Sequence, residues 1–116
     1  MNGLNTGSGC WENVKDDIVK KILNGTYAAG ERIPSARNIA SIYGVGINTS
    51  QKVLNTLCHD GVIDLKRGVG YFVNPYIKEQ LVAKRKATLE KTVGWAVKEA
   101  ALLGVDLTSM LSVAKD

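Results

Sequence analysis

The chain has 116 residues, of which 45% are hydrophobic and 22% are charged, a balance typical of one small globular domain with room for a short appendage. Fifteen Lys and Arg residues against 11 Asp and Glu give a formal charge of +4, which permits a polyanionic partner but does not require one. Two cysteines are too few for a disulfide scaffold, and no run of about 18 apolar residues could span a membrane. These features exclude a disulfide-rich secreted scaffold and a helical membrane protein, so we expect a cytoplasmic protein without membrane contact.

The first predicted helix extends from Trp11 to Leu23, where apolar residues recur every four positions. Its acidic residues come early and its lysines late, which matches the helix dipole. Residues 1–10 contain no apolar segment ahead of Cys10, so they are predicted to be a flexible lead-in and not an export signal. Gly25 follows the helix and is suited to its C-cap.

Two further helices are predicted close together. Ser35 can begin the first of them, because its hydroxyl can accept a hydrogen bond from a free amide of the first turn. Gly44 ends that helix, and the next one extends from Ile47 to His59. The small Ala40, four residues before the glycine, lets the second helix cross closely, so the spacing predicts a helix-turn-helix. The polar first turn of the second helix suits the place where a groove-reading helix contacts base edges.

A β-hairpin is predicted next. The extended segments VIDL (residues 62–65) and YFVN (residues 71–74) flank the glycine-containing segment KRGVG. Lys66 and Arg67 carry positive charge at the tip, and Gly68 permits close approach of a phosphate. The hairpin is therefore predicted to be the wing of a winged helix-turn-helix.

After Pro75 the sequence predicts one long helix that ends at Leu103 and a short helix capped by Asp106. Each carries an apolar stripe, and two helices alone cannot bury both stripes. We therefore expect two tails to pair in a homodimer. The residues expected in this interface are Leu89, Val93, Ala96, Val97, Ala100, Leu103, Leu107, Met110 and Leu111. The predicted fold is mainly α with a small β-hairpin wing: a winged helix-turn-helix over residues 11–75 and a two-helix dimerisation tail over residues 76–116.

Three motifs together resemble the DNA-binding domain of the GntR family of bacterial transcription regulators. They are GERIPSARNIA (residues 30–40), the Gly44-Val45 turn and KRGVGYFV (residues 66–73). The segment INTSQKV (residues 47–53) is similar to the PNTVQKA pattern of the YtrA-like subfamily, whose members also have a short two-helix tail. The resemblance implies sequence-specific binding of double-stranded DNA by a repressor that recognises a palindromic operator as a homodimer.

The resemblance also implies which residues contact DNA. They lie at the start of the second helix, in the first turn of the third and at the wing tip: Ser35, Arg37, Asn48, Thr49, Gln51, Lys52, Lys66, Arg67 and Gly68. Arg37 offers a bidentate fork for phosphate or guanine, and Asn48 or Gln51 could read adenine.

Two residues depart from the family pattern. Ile47 occupies a position that is Pro in the subfamily and Arg in many relatives, so it can touch a thymine methyl group but cannot read guanine. Ser50 replaces an inward-facing Val. We expect its hydroxyl to bond back to the carbonyl of Gly46 and to weaken the packing somewhat.

Other classes of function fit the sequence less well. A winged helix can serve as a protein-interaction adaptor without DNA binding, but that alternative needs an apolar or acidic recognition face, and this one is polar and basic. No cluster of acid, base and nucleophile indicates an enzyme. Cys58 and His59 have no second His near them in the sequence, so no metal or cofactor is predicted. The tail is too short to enclose a pocket of about 300 Å³ within one chain, so any small-molecule effector is expected at the dimer interface, its identity unknown.

Overall fold

The structure, a computed structural model, describes residues 10–114. Within this range the elements follow one another as α1 (Cys10–Leu23), α2 (Ala36–Tyr43), α3 (Ile47–His59), β1 (Ile63–Lys66), β2 (Gly70–Val73), α4 (Ile77–Leu103) and α5 (Leu107–Ala114). The predicted mainly α fold with a small hairpin wing is confirmed. The expected lead-in falls outside the described residues except for Cys10, which begins α1 one residue earlier than predicted.

The chain divides into two compact units, and the division lies within α4, between Leu81 and Val82. The first unit contains the helix-turn-helix and the wing, and the second contains most of α4 and all of α5. The domain boundary that we expect at Pro75 stays a prediction.

Helix α3 is the central element of the first unit, since it packs against α1, α2 and β1. Its residues Ser50, Val53, Leu54 and Leu57 have no exposed surface. The hydrophobic core around them consists of Val14, Ile18, Val19, Ile22, Ile33, Ile39, Val53, Leu54, Leu57, Val62, Ile63, Val73 and Ile77. Burial of one α3 face sets the rotation of the helix about its axis and leaves the opposite face in solvent.

The turn between α2 and α3 has the predicted geometry. The Ser35 hydroxyl accepts the backbone N–H of Asn38 at 3.3 Å and so caps α2. Gly44 ends the helix in the left-handed conformation, with φ 64° and ψ 37°. Val45 donates its backbone N–H to the carbonyl of Ala40 at 3.0 Å and packs partly buried against the core. The second helix can therefore leave at a steep angle directly after the glycine.

The prediction that the Ser50 hydroxyl bonds to the carbonyl of Gly46 is wrong. Its Oγ lies 2.7 Å from the carbonyl oxygen of Ala36 and 3.0 Å from that of Ile47. The Gly46 carbonyl instead accepts the backbone N–H of Ser50 within the helix. Because Ala36 is the first residue of α2, the hydroxyl joins the first turns of the two helices and is not an unpaired polar group in the core.

The wing is attached to the segment that precedes α2. Strands β1 and β2 pair antiparallel from Ile63 with Val73 to Lys66 with Gly70. The outer side of β2 also pairs with residues 31–33: the Ile33 N–H donates to the Tyr71 carbonyl at 2.9 Å, and the Val73 N–H donates to the Glu31 carbonyl at 2.8 Å. The hairpin is thus held on both sides of β2 and not on one side alone.

Polar contacts hold α1 against its neighbours. The Tyr43 hydroxyl donates to Asp17 at 2.5 Å, and Lys21 donates to the Tyr43 oxygen at 3.1 Å. Burial and the Asp17 hydrogen bond raise the pKa of Tyr43. The Tyr43 hydrogen bond, against an opposing effect of burial, raises the pKa of Lys21. Both groups therefore stay protonated at neutral pH and keep α1 attached to α2.

The second unit exposes much of its apolar surface. Gly104 ends α4 with φ 70°, and Asp106 caps α5 by accepting the Thr108 N–H at 3.0 Å. Ala100 is buried within this unit. The exposed large apolar side chains of the unit are Val82, Leu89, Val93, Trp95, Val97, Leu102, Leu103, Val105, Met110 and Leu111. In the part of the chain that the structure describes, no helix is both long and apolar enough to cross a membrane.

The Ser50 contact predicts a measurable loss of stability. Ser50→Ala removes the hydroxyl that joins α3 to α2, and we expect the free energy of unfolding to fall by about 1–2 kcal/mol. Urea denaturation followed by circular dichroism measures the change. Ser112→Ala, at an exposed serine of α5, is the matched control for helix propensity. Equal stability of both variants and the wild type would contradict the assigned contact.

Candidate nucleic-acid interface

Contacts between elements bring three of the predicted DNA-binding segments together. The Ser50–Ala36 hydrogen bond places the first turn of α3 beside the first residue of α2. A hydrogen bond of 2.9 Å from Gln51 Nε2 to the Tyr71 hydroxyl places the same turn beside the wing strand β2. The start of α2, the start of α3 and the wing are therefore neighbours on one surface, although about 30 residues separate the first from the last.

The predicted residues at the start of α2 and α3 differ in exposure. Arg37 and Asn48 are exposed, whereas Thr49 is half-buried. Ser35 is exposed, but its hydroxyl already accepts the Asn38 N–H as the cap of α2. Among the described residues the Asn48 side chain makes no hydrogen bond, so its amide donor and acceptor are both free for a partner.

The two predicted lysines of this surface lie over aromatic rings. Lys52 Nζ is 4.3 Å from the centre of the Trp11 ring, and Lys66 Nζ is 4.4 Å from the centre of the Phe72 ring. Cation–π contacts of this length restrict a flexible side chain without neutralising its charge. Both lysines therefore present a positioned positive charge.

The cations of this surface differ from the lysines of α1 in that they form no ion pairs among the described residues. The lysines of α1 form ion pairs: Lys15 with Asp60, Lys20 with Asp16 and Lys21 with Asp17, at 3.3–3.4 Å. By contrast, no ion pair within residues 10–114 involves the cations of the predicted interface, which are Arg37, Lys52, Lys66 and Arg67. The positive potential of this surface is not cancelled locally, which favours a phosphate backbone as partner.

The side-chain amide of Gln51 has hydrogen-bond partners within the protein. It is half-buried, and its Nε2 donates to the Tyr71 hydroxyl at 2.9 Å and to Asn55 Oδ1 at 3.0 Å. The structure therefore links Gln51 to the wing and to the next turn of its own helix.

Arg32 belongs to the same surface and was missed by reasoning from the sequence. Its side chain lies across Gly70, where a Cβ atom would come within 2.7 Å of Arg32 Nε. Arg32 is exposed and forms no ion pair among the described residues. Arg32 reaches the wing because its segment pairs with β2, where Arg32 lies opposite Phe72. The two residues are 40 positions apart, so no local sequence pattern indicates the contact.

The Cys58-His59 pair offers no second site. Burial raises the pKa of the half-buried Cys58 thiol, which disfavours the reactive thiolate. His59 is exposed at the end of α3, 3.5 Å from Asp60. Within the described residues, no three side chains of His, Cys, Asp or Glu are grouped so that they could hold a metal ion.

The fold and this surface define a winged helix-turn-helix protein. Residues 11–73, more than half of the chain, match the family of bacterial regulatory proteins named gntR. The chain therefore belongs to the GntR family, as its motifs predict.

Individual relatives agree with this assignment. The HTH-type transcriptional repressor YtrA of Bacillus subtilis is 25% identical over 100 residues, which cover 86% of this chain and 77% of YtrA. This similarity confirms the predicted resemblance to the YtrA-like subfamily. A GntR family transcriptional regulator from Listeria monocytogenes has the same fold, with a TM-score of 0.78, 23% identity and coverage of 97% of each chain.

A third relative was solved with DNA. The DNA-binding domain of AraR, in complex with operator ORX1, superposes with a TM-score of 0.56 and is 25% identical. The match covers 60% of this chain and 92% of that domain. The structural similarity therefore extends over nearly the whole of that DNA-binding domain.

The geometry predicts two kinds of binding defect. Arg37→Ala and Arg67→Ala should each weaken binding to every duplex, because phosphate contacts position the protein without reading sequence. Each should also make the plot of log K against log salt less steep by about 0.9. Asn48→Ala should instead relax the base preference at one position by about 1–3 kcal/mol.

Fluorescence polarisation with specific and random duplexes at several salt concentrations separates the two classes. Lys98→Ala removes one exposed charge from α4, in a segment that is not predicted to contact DNA, and is the control. The division is contradicted if Asn48→Ala lowers affinity for both kinds of duplex equally.

Proposed function

We propose that this regulator binds double-stranded DNA sequence-specifically, as a repressor, and that a homodimer recognises a palindromic operator. The observation that carries the proposal is the exposed Asn48 at the start of α3, together with nearby cations that form no ion pair among the described residues. Asn48 has a free amide to read a base edge, and Arg37 and Arg67 lie on the neighbouring segments. Base reading from a helix start, flanked by phosphate contacts, is how helix-turn-helix proteins recognise the major groove.

Two relatives support the finer parts of the proposal. YtrA is named as a repressor, and its similarity extends into the tail, since it covers 86% of this chain. AraR forms a complex with an operator through a domain that this chain matches over almost its whole length. A regulator of this kind acts on chromosomal DNA, so a cytoplasmic location follows from the proposal.

The alternative adaptor function fits the surface less well. A partner-binding winged helix needs an apolar or acidic recognition face, and the exposed residues around the first turn of α3 are mainly polar or basic. Ile47 is the exception, with 51% of its surface exposed. One aliphatic side chain beside a groove-reading turn suits a thymine methyl group better than it suits a protein interface.

A selection of random duplexes tests DNA binding directly. The full-length protein, incubated with a random duplex pool at about 0.15 M salt, should enrich one motif with two inverted halves. The centres of the halves should be about 34 Å apart or a multiple of that distance. A pool that shows no enrichment after several rounds would contradict the function, and a single enriched half would contradict the dimeric operator.

Exposed apolar surface in the second unit supports dimerisation through the tail. Of the residues predicted for the interface, Ala100 is buried within one chain, and Ala96 and Leu107 are half-buried. The other six are between 51% and 67% exposed: Leu89, Val93, Val97, Leu103, Met110 and Leu111. Water contact of six large apolar side chains on about 30 residues is unfavourable, and pairing of two tails removes it. Ala100 is already covered within one chain, and the six large side chains contact the partner chain in the proposed dimer.

Disruption of this surface should give monomers that bind the operator poorly. Leu89→Asp combined with Val93→Asp places two charges in the proposed interface. We expect sedimentation of a monomer and a fall in operator affinity of more than tenfold, because two linked half-sites bind far more tightly than one. The amide chemical shifts of the first unit should be unchanged.

The control carries the same charges at a different place on the helix. Thr88→Asp with Thr92→Asp has the same spacing and lies on exposed positions of α4 beside the proposed stripe. This variant should remain dimeric. Monomeric wild-type protein at tens of micromolar, or equal dissociation of both double variants, would contradict dimerisation through the predicted stripe.

A further inference from the structure

Gln51 belongs to α3, the recognition helix of the helix-turn-helix, and its side-chain amide connects this helix to the wing. Its Nε2 is 2.9 Å from the Tyr71 hydroxyl in β2 and 3.0 Å from Oδ1 of Asn55, one turn further along α3. Both Gln51 and Tyr71 are half-buried, so these polar groups are partly removed from water. A hydrogen bond in such a place costs more to lose than one at a fully exposed site.

The hydrogen-bonding capacity of Gln51 limits what else it can do. An amide nitrogen carries two hydrogens, and two protein acceptors lie within bonding distance of this one. Bidentate reading of adenine needs one N–H and the carbonyl oxygen of the same amide at the base edge. Gln51 could make that contact only by giving up Tyr71 or Asn55. Asn48, three residues earlier in the first turn, needs no such exchange because its amide is free.

Tyr71 can fix the position of the wing relative to α3, because its hydroxyl contacts α3 and its backbone is part of β2. Its backbone carbonyl accepts the Ile33 N–H at 2.9 Å, and it pairs with Leu65 in the hairpin. The next residue toward the tip is Gly70, which pairs with Lys66. The hydrogen bond from Gln51 to the Tyr71 hydroxyl therefore anchors the strand one residue away from the Gly70–Lys66 pair at the basic tip of the wing.

We propose that Gln51 and Tyr71 are positioning residues that couple the wing to the recognition helix, and that Asn48 reads the base edge in place of Gln51. This inference rests on the proposed DNA-binding function. It assigns Gln51 a role different from the one that the family resemblance implies. With the wing held at a set position relative to α3, contact of Lys66 and Arg67 with phosphate and contact of Asn48 with a base occur together.

The coupling has a distinct signature in DNA affinity. Tyr71→Phe and Gln51→Ala each remove the same hydrogen bond, so each should weaken binding about fivefold. The loss should be equal for the selected duplex and for its single-base variants. The double variant should bind no more weakly than the weaker single variant, because the second change removes a contact already lost. Tyr76→Phe removes a hydroxyl from an 81% exposed tyrosine outside this surface and is the matched control.

A second measurement does not depend on DNA. Trypsin cleaves after Lys66 and Arg67, which lie at the wing tip, and cleavage requires local opening of the hairpin. Tyr71→Phe should speed cleavage at these two sites severalfold, whereas Tyr76→Phe should leave the rate unchanged. Thermal unfolding of each variant shows whether a faster rate reflects the wing alone.

The outcomes distinguish this inference from the proposed function. A change of the preferred base in Gln51→Ala, with none in Tyr71→Phe, would make Gln51 a base reader and overturn the inference while DNA binding stands. Additive losses in the double variant would overturn it as well. If the wild type enriches no DNA sequence, the proposed function fails, and equal cleavage of wild type and Tyr71→Phe would then overturn the coupling independently.

Discussion

Complete burial of one face of α3 is the constraint on which the rest of the first unit depends. Ser50, Val53, Leu54 and Leu57 recur at helical spacing, and all four are inaccessible to water because α1, α2 and β1 pack around them. Rotation of α3 about its axis would expose these side chains and bury the polar ones, at a cost of several kcal/mol. The direction in which Asn48 points is therefore decided by the residues on the buried face of the helix.

The neighbours of α3 are held in place by contacts at its first turn. Ser50 binds the carbonyl of Ala36 at the start of α2, and Gln51 binds the Tyr71 hydroxyl in the wing. Gly44, in the left-handed conformation, permits the sharp exit from α2 that both contacts need. The positioned segments do not have to be ordered when DNA binds, so less of the interaction energy is lost as conformational entropy.

Local signals predicted most of the architecture. Ser35 and Gly44 mark the ends of α2 by their capping chemistry, and α3 begins at Ile47 and ends at His59 as its apolar spacing predicts. The strands were placed within one residue, because β-branched and aromatic residues flank a glycine turn. Signals of this kind depend on residues a few positions apart, which is why they can be read without the fold.

The contacts that were missed all join distant parts of the chain. The sequence predicts that the Ser50 hydroxyl bonds to the nearby carbonyl of Gly46, but its closest acceptor is the carbonyl of Ala36 in α2, 14 residues away. The family resemblance predicts that Gln51 contacts DNA, but no local pattern predicts its hydrogen bond to Tyr71, 20 residues away. Arg32 reaches the wing only through the pairing of the preceding segment with β2. In the tail, spacing placed Ala100 in the same stripe as Leu89, but only packing within the chain shows that Ala100 is already covered.

Hydrogen bonds hold the starts of α2 and α3 and the wing together in the free protein, so this surface should be assembled before DNA binds. Amide chemical shifts of the isotope-labelled protein, followed during titration with the selected duplex, test this most directly. We expect the large changes to be confined to residues 35–37, 47–52 and 66–70, while the amides of Val53, Leu54 and Leu57 keep their shifts. Large changes at these three core residues, or changes limited to α1, would show that the surface is not assembled beforehand.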